Sequence, residues 1–163
     1  MSSTKVMIIM GSDSDMPVMQ ETKTVLDELG ISSKTVISSA HRTPAKLVQL
    51  VKEAEKDGVK IFIAGAGMAA HLAGAIAANT VLPVIGVPLD SLALNGIDAL
   101  LSTVQMPKGI PVATMAIGKH GAKNAGIFAA QILGLSDNKI LDKLAELRKE
   151  MEKNLETKNK QIV

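Results

Sequence analysis

Five short strand-like runs, most of them apolar, each closed by turn-forming residues and followed by a stretch of helical period, constrain this chain more than any other feature. Val6-Met7-Ile8-Ile9-Met10 has no polar member, as a strand buried on both faces requires. Lys34–Ile37, Ile61–Ala64, Val84–Val87 and Val112–Ile117 read as four more strands. Helices are expected over Met16–Leu29 and Pro44–Asp57, each with a proline in its first turn and a glycine past its end. Three more follow: an Ala-rich one to about Asn79, then Gly96–Val104 and Lys123–Leu133. This alternation predicts an α/β domain with a parallel sheet and helices on both faces.

The remaining tail, about 137–158, is a charged helix with an apolar stripe at Ile140, Leu144, Leu147, Met151 and Leu155. The stripe is expected to dock on its own domain or on a neighbouring subunit. Residues 1–163 read as a single α/β domain, three-layered and flavodoxin-like (Rossmann-like), with this extended C-terminal helix.

Composition narrows the partners. Hydrophobic residues make up 47% of the chain, enough for one core. Trp and Tyr are absent and Phe occurs twice, so aliphatic side chains and Met must fill that core. The same shortage argues against base-stacking platforms for single strands. Net charge is +2 with both signs interspersed, which implies no nucleic-acid or membrane patch. Without Cys there is no disulfide, thiolate nucleophile or thiolate metal ligand. No apolar run reaches spanning length and a strand begins within about five residues, so a soluble cytoplasmic protein is expected.

In such sheets ligands bind beyond the carboxyl ends of the strands, where the strand order reverses. The order 2-1-3-4-5 would bring the loops after strands one, two and three together. The first, Gly11 to Asp15, offers hydroxyls, flexible amides and two carboxylates beside a helix start. It suits phosphate and ribose, and equally suits ordinary capping by Ser12 and Asp15. The second, Ser38-Ser39-Ala40-His41-Arg42-Thr43-Pro44, sets an imidazole beside a fixed cation, with Thr43 a candidate helix cap. The third contains Gly65-Ala66-Gly67-Met68-Ala69-Ala70, a match to the dinucleotide fingerprint. It follows the third strand rather than the first, so a small-residue wall against a planar substrate is the better reading. Asp90 stands at a passable distance for the fingerprint's acid, which keeps nucleotide or flavin binding as an alternative. His71 can be a structural histidine or a pocket wall, and His120 reads as an exposed loop residue. The three histidines are too scattered for a local metal motif.

Met10-Gly-Ser-Asp-Ser-Asp15, Ser38-Ser-Ala-His-Arg-Thr-Pro44, Ala64-Gly-Ala-Gly-Met-Ala-Ala-His-Leu72, Gly86-Val-Pro88 and Ser102-Thr-Val-Gln-Met-Pro107 occur in that order. Together they resemble the class I N5-carboxyaminoimidazole ribonucleotide mutases of purine biosynthesis (PurE), from about Val6 to Leu133. The resemblance implies interconversion of N5-carboxyaminoimidazole ribonucleotide (N5-CAIR) and 4-carboxy-5-aminoimidazole ribonucleotide (CAIR). It implies no metal or organic cofactor, and a homo-octamer. His41 becomes the acid/base group. Ser12, Asp15 and Arg42 become ligands of the ribonucleotide. Ser39, Ala40, Gly67, Ala70, His71 and Leu72 become the carboxylate and base pocket. His-Arg-Thr-Pro with Ala-Ala-His-Leu is similar to the bacterial-type mutase, whereas the class that uses free CO2 differs at both places.

Two positions depart from that pattern. Ala73 stands where the family usually has proline, and is expected to loosen the start of the third helix. Met68 stands where it usually has a second glycine, and adds bulk beside the pocket. Alternatives to the mutase are a carboxylase using free CO2, a dinucleotide- or flavin-binding protein, and a scaffold acting through its last helix.

Overall fold

Val6–Met10 forms β1, an interior strand of a five-stranded parallel sheet in a computed structural model that describes residues 4–91 and 93–162. A single 3-10 turn at Asp13–Asp15 leads into α1 (Met16–Glu28), then β2 (Ser33–Ile37) and α2 (Pro44–Lys56). The chain continues through β3 (Ile61–Gly67), α3 (Leu72–Ala77), β4 (Val84–Leu89) and α4 (Ile97–Val104). It closes with β5 (Ala113–Thr114), α5 (Lys119–Gly134) and α6 (Asn138–Ile162). The strand order is β2-β1-β3-β4-β5, all pairs parallel, which is the flavodoxin-like order expected from the sequence.

Alternate side chains of a strand point to opposite faces, and β1 divides accordingly between two cores. Val6, Ile8 and Met10 join Ile63 and Val87 in the layer closed by α1 and α5. Met7 and Ile9 join Phe62, Leu47, Val51 and Ile76 in the layer closed by α2 and α3. Small residues let α5 lie close on α1. A Cβ on Gly126 would stand 3.0 Å from the Thr22 carbonyl oxygen. The buried Thr22 hydroxyl donates to the Ala122 carbonyl at 2.7 Å across the same seam.

Several boundaries move for identifiable reasons. β3 runs on to Gly67, because Ala66 and Gly67 pair with Pro88 and Leu89 of β4. β4 passes through Pro88, where a proline would ordinarily end a strand. The Pro88 carbonyl accepts the Gly118 N–H, so its missing donor faces the β5 side, where the ladder has already ended. β5 keeps only two ladder residues of the six expected, paired with Ile85 and Gly86. α5 begins at Lys119, which puts His120 on the exposed first turn of a helix and not in a loop. Ala73 lies in the first turn of α3, buried against the sheet. In α6, Ile140 and Leu144 pack on the core beneath α1 and α5, whereas Leu155 is 63% exposed.

Candidate active site

The loop after β2 is held by its own hydroxyls. Thr43 is the first residue before α2, yet its side chain makes no cap bond to the helix. Its hydroxyl turns back instead, donating to the Ser39 carbonyl at 3.1 Å and accepting the Ser39 N–H at 3.3 Å. The Ser39 hydroxyl in turn accepts the Arg42 N–H at 3.1 Å. These bonds shape the turn that presents His41 and Arg42, both exposed.

The loop after β1 is braced in a similar way. Asp15 does not cap α1; its Oδ2 accepts the Ser12 N–H at 3.0 Å and closes the 3-10 turn. The Ser12 hydroxyl donates to Asp13 Oδ1 at 3.0 Å. That bond, aided by backbone amides, lowers the Asp13 carboxyl from its ordinary value. Asp15 shifts the other way. Burial raises its carboxyl, against the pull of the Ser12 and Gly11 amides and of Arg42. Arg42 Nη2 donates to the Gly11 carbonyl at 2.6 Å and ties the two loops together.

The loop after β3 completes the wall. The His71 ring lies 5.2 Å from that of His41, centroid to centroid. Gly65, the first glycine of the fingerprint-like stretch, lies inside β3, where a Cβ would overlap the Met19 sulfur. Its smallness serves the packing of β3 on α1, which gives that glycine a reason unrelated to a phosphate cradle. Gly67 is nearer the site, with its Cβ position 3.3 Å from the Leu89 carbonyl oxygen.

The three loops enclose one cavity of about 710 Å³. Ser12, Asp15, Ser39, Ala40, His41, Arg42, Gly67, His71 and Leu72 all line it. Ala70 does not; it is 2% exposed and sits behind the wall formed by its neighbours. A fourth contributor, Leu89-Asp90-Ser91 at the end of β4, lies outside the three loops expected from the sequence. Asp90 matches the acid of the dinucleotide fingerprint in sequence, but the neighbouring position of β4 beside β3 is what brings it to the cavity. Among the described residues no group of three His, Asp or Glu side chains is placed to hold a metal ion. No described helix is long and apolar enough to cross a membrane.

A guanidinium, two imidazoles, two carboxylates and several hydroxyls around one hollow beyond the strand tips define an α/β protein with a polar candidate site for a small molecule. The family model for AIR carboxylase matches residues 5–154, and the chain belongs to that family. An N5-carboxyaminoimidazole ribonucleotide mutase of Pyrococcus horikoshii is 54% identical over 155 residues, covering 95% of this chain and 86% of its own. One of Vibrio parahaemolyticus is 56% identical over 146 residues, covering 90% and 91%. One of Bacillus subtilis is 51% identical over 156 residues, covering 96% of each. A crystal structure of Treponema denticola PurE superposes with a TM-score of 0.85 at 32% identity, covering 95% of this chain and 96% of that one.

Proposed function

We propose that this chain is an isomerase, interconverting N5-CAIR and CAIR in purine biosynthesis, with His41 as its proton carrier. The observation that carries the reading is the meeting of His41, Arg42, Ser12 and Asp15 around one cavity, in a chain at least half identical to mutases. Arg42 and the Ser12 loop hold the phosphate, and Asp15 accepts a ribose hydroxyl. Ser39, Ala40, Gly67, His71 and Leu72 surround the base and its carboxylate. Ala70 contributes by keeping the loop close behind them.

The chemistry balances on one proton. The N5–carboxyl bond breaks, its electron pair stays on N5, and protonated His41 supplies the proton that N5 takes up. CO2 remains in the cavity beside the ring. The enamine-like C4 attacks it, forming the new C–C bond, and neutral His41 then removes the C4 proton. Imidazole suits both roles because its two forms lie close in free energy near neutral pH. Keeping CO2 in place replaces a bimolecular recapture by a local one, worth orders of magnitude in rate.

The test is isomerisation of N5-CAIR in labelled bicarbonate. Retained, unlabelled carboxylate supports the mutase; full label exchange supports a carboxylase using free CO2. No resident cofactor or metal is required by this scheme, and nucleic acid and membranes have no part in it. The protein acts in the cytoplasm as a homo-octamer. Exposed Leu94, Ile97, Leu101 and Val104, on and beside α4, offer the apolar surface that a second copy would cover. Light scattering reads the assembly directly.

A further inference from the structure

Met68 occupies the left-handed backbone region, at φ 56°, although it is not glycine. A side chain there crowds its own backbone, and such positions persist where the surroundings repay the strain. The fold around it does not, because the Met68 side chain is 66% exposed. Its carbonyl accepts the Ala70 N–H at 2.8 Å, so a tight turn fixes the backbone and leaves the side chain free. The side chain borders the same cavity as His41 and Arg42.

A planar heterocycle bound in that cavity needs apolar contact on its faces. No Phe, Tyr or Trp ring can give it. Trp and Tyr are absent, Phe62 is fully buried in the core, and Phe128 lines a different hollow at the amino ends of β4 and β5. Leu72 and Leu89 reach the cavity, but each is 3% exposed and locked into the core. Among the described residues, Met68 is the one large apolar side chain on the wall with room to move.

We propose that Met68 closes the cavity over the bound ribonucleotide, laying its thioether on the imidazole ring. This rests on the function proposed above and names an affinity determinant belonging to this chain, at a position where the family pattern has glycine. An unbranched, polarisable side chain adapts to a ring face and gains from the sulfur–aromatic contact, worth up to about tenfold in affinity. Ligand binding supplies the burial that the free fold withholds from Met68.

The experiment compares M68G, M68A and M68L with the wild type, by KM and kcat for N5-CAIR and by calorimetric Kd for CAIR. M68G and M68A should raise KM and Kd about tenfold with kcat nearly unchanged, and M68L, which keeps apolar bulk but loses the sulfur, should fall between them and wild type. M68G should also melt no lower than wild type, since glycine tolerates this backbone. M68A separates side chain from backbone, because alanine keeps the Cβ and lacks the thioether. An M68A protein with wild-type KM and Kd overturns the proposal. A wild type that binds CAIR but turns over no N5-CAIR refutes the activity instead, and the Kd comparison still decides on Met68.

Discussion

The imidazole rings of His41 and His71 stand 5.2 Å apart and are inclined by 36°. They come from loops after β2 and β3, the two strands that flank β1, and meet over its tip. Both residues line the same cavity as Arg42.

His41→Asn keeps a polar side chain of similar reach and removes the titratable group. Turnover of N5-CAIR should fall about 10²- to 10⁴-fold, the usual worth of a positioned acid or base. Calorimetry should still detect CAIR binding. Near-normal turnover in this variant would reject the assignment of His41.

Arg42 is exposed, so its bond to the Gly11 carbonyl adds little to the stability of the fold. Its loss should matter more to an anionic ligand, since hydrogen bonds to charged groups are worth about 1.5–3 kcal/mol. Arg42→Ala should raise KM roughly tenfold to a hundredfold and lower Tm by only a few degrees. Steady-state kinetics and a melting curve test both halves.

Burial raises the Asp15 carboxyl above its ordinary 3.8, so the folded chain holds that proton more tightly than the unfolded one. Folding therefore takes up a proton in the window between 3.8 and the raised value, and stability falls as pH rises across it. Asp15→Asn has no such proton and still offers an oxygen to the Ser12 N–H. The stability advantage of the variant should be small below pH 3.8 and grow as pH rises through the window. The opposite shift at Asp13 is present in both proteins, so the comparison removes it. Urea titrations at stepped pH measure this, and a constant difference would show that Asp15 ionises freely.

Helix propensity favours alanine over glycine by about 1 kcal/mol at most. At Gly121, in the first turn of α5, a Cβ would overlap the carbonyl oxygen of Ala116. Backbone cannot swing aside as a flexible side chain could, and overpacking costs about 1–3 kcal/mol or more. Gly121→Ala should therefore destabilise by about 2 kcal/mol and lower Tm by roughly 4–8 °C. A rise in Tm would show that the segment before α5 yields freely.

The fold was legible because its signals are local and repeated. A run such as Val6–Met10 has few alternatives to a buried strand, and Pro44 and Gly58 mark the ends of α2 from their chemistry alone. The site was legible by class: His41, Arg42, Ser12 and Asp15 fall on loops that the strand order gathers. What escaped depended on partners distant in sequence. β4 passes through Pro88 because β5 has stopped pairing, a fact of the neighbouring strand. Gly65 imitates a phosphate loop because Met19, on another element, fills its Cβ position. Thr43 looks like a cap until Ser39 claims its hydroxyl.

Hydrogen bonding sets adjacent strands about 4.8 Å apart, and this spacing hardly varies among sheets. β2 and β3 lie on either side of β1 and so stand about 9.6 Å apart, yet the rings borne by the loops that follow them close to 5.2 Å; the sheet sets where the two loops start, and the loops bring the imidazoles together. Sequence drift in the loops can change what each ring touches, but the strands that launch those loops stay fixed in their order.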